Sequence, residues 1–85
     1  LLASILQWKI LRMGKLIKKY NSEIHGGWCE IHVDLKEEYF YIKYFNEEGQ
    51  KIYITEEFPN KSLHYVKDAA ENWCTGLKKL DTIHA

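Results

Sequence analysis

A chain of 85 residues is long enough for one domain with a single modest core, and a composition 46% hydrophobic and 28% charged excludes a disordered chain. No run of eighteen apolar residues is present to make a transmembrane span, and two cysteines are too few for a disulfide framework, so they read as reduced thiols of a cytoplasmic protein. Twelve basic residues balance twelve acidic ones, but unevenly: residues 1–22 carry Lys9, Arg12, Lys15, Lys18 and Lys19 and no acid, which makes the molecule a charge dipole and bears on association rather than on fold.

The chain starts with an uncharged run, Leu1–Trp8, and its only methionine is Met13. Two readings of this end stay open. In the first, residues 2–20 form an amphipathic helix. Leu2, Leu6, Ile10, Met13, Ile17 and Tyr20 recur at spacings of four and three, with the basic residues opposite. Gly14 counts against it by about 1 kcal/mol relative to alanine. In the second, Met13 is the natural start, 1–12 is an extension, and Lys15–Ile24 is an edge strand turning at Gly26-Gly27.

Three alternating runs follow. In Trp28–Leu35, Cys29, Ile31, Val33 and Leu35 face one way, and Trp28, Glu30, His32 and Asp34 the other. A strict period of two is the pattern of a half-buried strand. Lys36–Glu38 is a short polar turn. In Tyr39–Phe45, Phe40, Ile42 and Tyr44 share the inner face, with Tyr39, Tyr41, Lys43 and Phe45 outside. Asn46-Glu47-Glu48-Gly49 reads as a hairpin loop, its glycine supplying a positive φ. Lys51–Glu57 is the third run, with Ile52 and Ile54 inward and Tyr53 and Thr55 outward.

Pro59-Asn60 ends the sheet, and Asn60 or Ser62 can cap a helix. Leu63, Val66, Ala70, Trp73, Leu77 and Leu80 make one stripe at helical spacing, expected to lie on the sheet's inner face. Asp68 and Glu71 toward its start, and Lys78 and Lys79 toward its end, would suit the helix dipole. Gly76 reads as a close approach to the sheet or a frayed end. The expected architecture is a single α+β domain over 1–85. It is an antiparallel meander of three or four strands packed on a helix spanning Leu63–Leu80, preceded in the first reading by the basic helix (α-β-β-β-α).

No catalytic, metal or cofactor motif emerges. Cys29 and His32, three apart on a strand, point to opposite faces, which defeats both metal coordination and a Cys–His nucleophile. Cys74 flanks the helix stripe as a small hydrophobe. Gly26-Gly27 is too short to cradle a phosphate. Function is therefore expected on surfaces. The sheet's outer face would carry Trp28, His32, Tyr39, Tyr41, Phe45 and Tyr53, an aromatic patch of the kind that marks interaction sites. The plainer reading is cross-strand pairing, or cover by the N-terminal segment. Asp34, Glu37, Glu38, Glu56 and Glu57 would gather at one end of the sheet, either as solvated turn residues or as a mimic of a phosphate run. Lys9, Arg12, Lys15, Lys18 and Lys19, with Lys61 and Lys67, could instead contact nucleic-acid phosphates.

Two resemblances bear on this choice. Lys61-Ser62-Leu63-His64-Tyr65-Val66-Lys67-Asp68-Ala69-Ala70 resembles the Lys-Ser-Lys-Lys-x-Ala-Lys-x-Ala-Ala helix start of double-stranded-RNA-binding domains, whose element order is α-β-β-β-α. Only Lys61 and Lys67 match the family's phosphate-bridging lysines. The family's Gly-Pro-x-His loop is replaced by Lys36-Glu37-Glu38. If Met13 is the start, the chain is similar in layout to small bacteriophage accessory proteins, some anti-CRISPR proteins among them. It shares their small size, tyrosine-rich sheet and acidic turns, and a terminal helix ending in Trp73-Cys74-Thr75-Gly76-Leu77. That resemblance implies a non-enzymatic protein that binds and blocks a host protein. The expected function is thus a protein-binding regulator or inhibitor without cofactor. An RNA-binding module and a self-associating structural subunit, a homodimer in the simplest case, are the alternatives.

Overall fold

The computed structural model describes residues 12–51 and 55–80. In chain order it has β1 (Gly14–Asn21), β2 (Trp28–Asp34), β3 (Phe40–Phe45), β4 (Glu56–Phe58) and α1 (Leu63–Cys74). The strands form one antiparallel four-stranded sheet in the order β1-β2-β3-β4, a meander, with α1 packed across one face of β2 and β3. Residues 1–11 lie outside the described residues, and with them the first half of the helix expected over 2–20. Its second half is corrected: Gly14–Asn21 is a strand, paired with β2 from Gly14↔Asp34 to Asn21↔Trp28. The apolar spacing that imitates a helix there comes from a β-bulge. The register slips between Leu16 and Lys18, leaving Ile17 unpaired, so the side-chain alternation changes phase in mid-strand.

Pairing fixes the two faces. The inner face stacks Val33, Phe40 and Phe58 in one row, Ile31 and Ile42 in the next, and Tyr20, Cys29 and Tyr44 in a third. Against them α1 lays Val66, Ala69, Ala70 and Trp73, which complete the core, with Leu63 and Leu80 packed at its margins. Burying side chains the size of Val66 and Trp73 contributes about 2 kcal/mol each. Trp73 meets Tyr44 edge-on at 5.0 Å between ring centroids.

Several boundaries differ from expectation. β2 stops at Asp34, whose carboxylate accepts from the amides of Lys36 and Glu37 at 2.9 and 2.8 Å. The turn this enforces leaves Leu35 outside, 53% exposed, instead of in the core. The third run shows only the lone Lys51↔Phe45 bridge and then β4; Ile52, Tyr53 and Ile54 lie outside the described residues. Ser62, not Asn60, caps α1, accepting from the Tyr65 amide at 3.2 Å.

The helix ends six residues early because Gly76, at φ +84°, turns the chain left-handed. The amides of Gly76 and Leu77 bond back to the carbonyls of Trp73 (3.1 Å) and Asn72 (2.8 Å), the Schellman pattern. Leu77 is accordingly 79% exposed and off the stripe. Asp68 and Glu71 fall in the middle and last part of the shortened helix, and Lys78 and Lys79 beyond it, so the expected match to the dipole is absent.

Candidate functional site

The sheet face opposite α1 is the candidate surface. Its rows, read from the pairing, are Gly14–Asp34–Tyr39, Leu16–His32–Tyr41–Glu57, Lys19–Glu30–Lys43 and Asn21–Trp28–Phe45. Trp28 and Phe45 stack at 4.8 Å between centroids, and His32 and Tyr41 at 5.3 Å, each pair directly opposed across β2 and β3. Between them the Glu30 carboxylate accepts from Trp28 Nε1 at 2.9 Å and from His32 Nε2 at 2.9 Å. Burial lifts the pKa of Glu30, but these donors outweigh it, and the carboxyl sits below its ordinary range. The Lys19 ammonium lies over the Trp28 ring, 4.6 Å from its centroid. Among the described residues no helix or strand covers this face, and Trp28, Glu30, His32, Lys43 and Phe45 are all half-buried.

Tyr41 departs from expectation. It shares the outer face but is 2% exposed. Gly14 lets β1 lie against it: a Cβ on Gly14 would fall 1.8 Å from the Tyr41 hydroxyl oxygen. On its other side the Arg12 guanidinium covers the ring at 3.7 Å. Tyr41 is therefore part of the sheet's packing and is withdrawn from the exposed patch. Tyr39 remains half-buried beside it, with Arg12 at 5.8 Å from its ring. Tyr53 lies outside the described residues.

The acidic end is likewise rebuilt. Arg12 Nε donates to Asp34 Oδ2 at 2.7 Å, and its two terminal nitrogens donate to Glu57 at 2.7 Å each. Asp34 is 6% exposed. Its pKa lies below the ordinary carboxylate range, through the Glu37 amide first and Arg12 after it. Glu56 does not join them. It turns to the helix side of the sheet, accepting from the Tyr44 hydroxyl at 2.6 Å and from Lys78 Nζ at 3.1 Å. Only Glu37 and Glu38 remain exposed turn carboxylates, Glu38 at φ +61°. Of the five carboxylates expected at this end, Asp34 and Glu57 form an Arg-bridged pair, Glu37 and Glu38 are solvated turn residues, and Glu56 lies on the other face of the sheet.

The basic set is dispersed in the same way. Arg12 is committed to Asp34 and Glu57. The bulge sends Lys15 and Lys18 to the helix side of β1 and Lys19 to the outer face. Lys18 lies over Tyr20 at 4.9 Å, and Lys61 over Tyr65 at 4.6 Å. Lys67 stands on α1, and Lys9 is outside the described residues.

A second polar constellation had no signal in the sequence. The loop between β1 and β2 folds under the C-terminal end of α1. Ser22, 4% exposed, donates from its hydroxyl to the Cys74 carbonyl at 3.0 Å. His25 donates from Nε2 to the Trp73 carbonyl at 2.9 Å and stacks on the Trp73 ring at 4.5 Å. The Ser22 bond satisfies a carbonyl that the helix end leaves open, while the Trp73 carbonyl, already accepting from the Gly76 amide, takes His25 as a second donor. Beside them the thiols of Cys29 and Cys74 stand 4.0 Å apart. Burial raises both, Cys29 the further, so neither is an activated nucleophile. The nearby Tyr20 hydroxyl is buried, with no partner at full hydrogen-bond distance among the described residues; burial first, and the adjacent Glu71 carboxylate after it, raise its pKa.

No protein-family model, curated protein or solved structure matches this chain. Among the described residues, no three histidine, cysteine or acidic side chains come together as a metal site, and no helix is long and apolar enough to cross a membrane.

Proposed function

We propose that this protein is a non-enzymatic binding module, a small regulator or inhibitor that blocks a partner protein with the outer face of its sheet. The observation behind this reading is a row of half-buried side chains on that face that no described helix or strand covers: Trp28 stacked on Phe45 and bridged through Glu30 to His32, with Lys19 and Lys43 alongside. Flat aromatic rings held rigid by stacking offer large contact area at low entropic cost, and the charges around them supply register. Steric block is preferred to mimicry of a nucleic acid, because Arg12 neutralises Asp34 and Glu57 and Glu56 faces the other way. The reading also draws on the resemblance in layout to small bacteriophage accessory proteins, which it carries forward as part of the proposal.

Affinity capture with three chains tests the proposal: wild type, Trp28→Ala/Phe45→Ala, and Tyr65→Ala on the solvent side of α1. A partner held by wild type and by Tyr65→Ala should be lost at least about tenfold by the double variant. Equal recovery by all three would refute the outer-face reading. Recovery that vanishes on nuclease treatment, and weakens steeply with salt, would transfer the function to RNA. A dimer by light scattering that Phe45→Glu dissolves would transfer it to self-association.

A further inference from the structure

We infer that Cys29 and Cys74 join as an intramolecular disulfide when the chain meets an oxidising pool of low-molecular-weight disulfide, fastening the end of α1 to the central strand β2. They are the only two cysteines of the chain. The fold brings them together across 45 residues, to 4.0 Å between sulfurs. A disulfide needs about 2.0 Å between the sulfurs, so the gap to close is about 2 Å. Cys74 is placed to close it. It is the last residue of α1, beside the left-handed turn at Gly76, where the backbone is no longer clamped by continuing helix on both sides.

Access fixes the order of events. Cys29 is 0% exposed, in the core between β2 and α1, while Cys74 is half-buried. An external disulfide can therefore meet only Cys74. The Cys74 thiolate attacks one sulfur of the reagent, expelling one thiolate and forming a mixed disulfide at Cys74. The Cys29 thiolate then attacks the Cys74 sulfur and expels the second thiolate. Two protein thiols are oxidised, one reagent disulfide is reduced to two thiols, and the two protein protons end on those thiols. Burial keeps both cysteines mostly protonated, so closure is slow at neutral pH, and the same burial shields the bond once it has formed. The linked ends are those already held by Ser22 and His25, so closure adds a covalent tie at a contact that exists without it.

Equilibration of the full chain in glutathione redox buffers, quenched by alkylation and read by intact mass and peptide mapping, tests this. A single monomeric species should appear that carries no alkyl group, is lighter by about 2 Da than the unalkylated reduced chain, and has the Cys29 and Cys74 peptides joined. Its effective concentration of thiol should be at least about 100-fold higher in the folded chain than in guanidinium, because a link compatible with the native state is favoured by folding. Oxidation should raise Tm by at least about 10 °C, a shift absent from Cys74→Ser. Cys29→Ala should stop at the mixed disulfide on Cys74, and Cys74→Ser should take up no glutathione. Equal effective concentration in folded and denatured chain, or a covalent dimer as the main product, would overturn the inference whether or not either variant folds.

Discussion

Gly14 and Gly27 look alike in the sequence and are not alike in the fold. A Cβ on Gly14 would fall on the Tyr41 side chain, whereas one on Gly27 would fall 2.0 Å from the carbonyl oxygen of Phe45 and within 2.9 Å of Asn46 backbone atoms. A tyrosine ring can shift at the cost of its stacking; a strand backbone cannot. Gly14→Ala should cost about 1–3 kcal/mol, and Gly27→Ala more than that, measurable as the order of their urea midpoints. The same neighbourhood sets an acid response. Asp34 has a folded pKa below its unfolded value, so its contribution is complete above about pH 3.9 and fades as pH falls toward the folded value. Asp34→Asn should therefore flatten the loss of stability below about pH 4 in acid titrations followed by circular dichroism. Arg12→Lys should not restore the wild-type midpoint, since an ammonium reproduces neither the two-pronged grip on Glu57 nor the stack on Tyr41. None of this was legible beforehand. Tyr41 occupies the outer face that alternation assigns to it; what buries it is the missing side chain of Gly14 and an arginine that the charge pattern presented as a free base.

At the scale of elements, legibility followed burial on both sides. β2 and β3 are central strands with one face on the core, and their alternation at Cys29-Glu30-Ile31 and Ile42-Lys43-Tyr44 was plain. β1 is an edge strand, exposed along most of its length, and its bulge breaks the period of two at Ile17. Alternation therefore could not choose between the two readings of this segment; the edge strand expected over Lys15–Ile24 is the one found, shortened to end at Asn21 before the turn through Gly26-Gly27. The helix stripe was legible from Leu63 to Trp73 and overran the end, because leucines at 77 and 80 keep helical spacing after the backbone has turned away. Gly76 decides that end, through its φ of +84°. Gly76→Ala should lower stability by about 1 kcal/mol, with Gly76→Asn recovering part of the loss, in thermal melts. Ser62→Ala at the other end should cost about 1 kcal/mol by the same measurement.

At the scale of the whole molecule, adjacent glutamates on β4 are held from opposite faces of the sheet. Glu57 is gripped by Arg12 from outside and Glu56 by Tyr44 and Lys78 from the helix side. β4 has only three ladder residues, so these side chains do much of the work of keeping it in place. Glu56→Gln/Glu57→Gln should raise amide hydrogen exchange in Glu56–Phe58 well before it affects the β2–β3 pair, a local opening separable from global unfolding. The opposite edge of the sheet faces the reverse difficulty, eight residues of strand with one side of the backbone unpaired among the described residues. Its lysines, and the extra residue at Ile17 that throws its hydrogen-bonding groups out of step, make it a poor template for a neighbouring chain. Ile17 is thus the residue whose deletion would make the strand more regular and the protein less soluble: a straightened β1 invites edge-to-edge growth, and concentrated solutions of that variant should form thioflavin-positive fibrils while the natural chain stays clear.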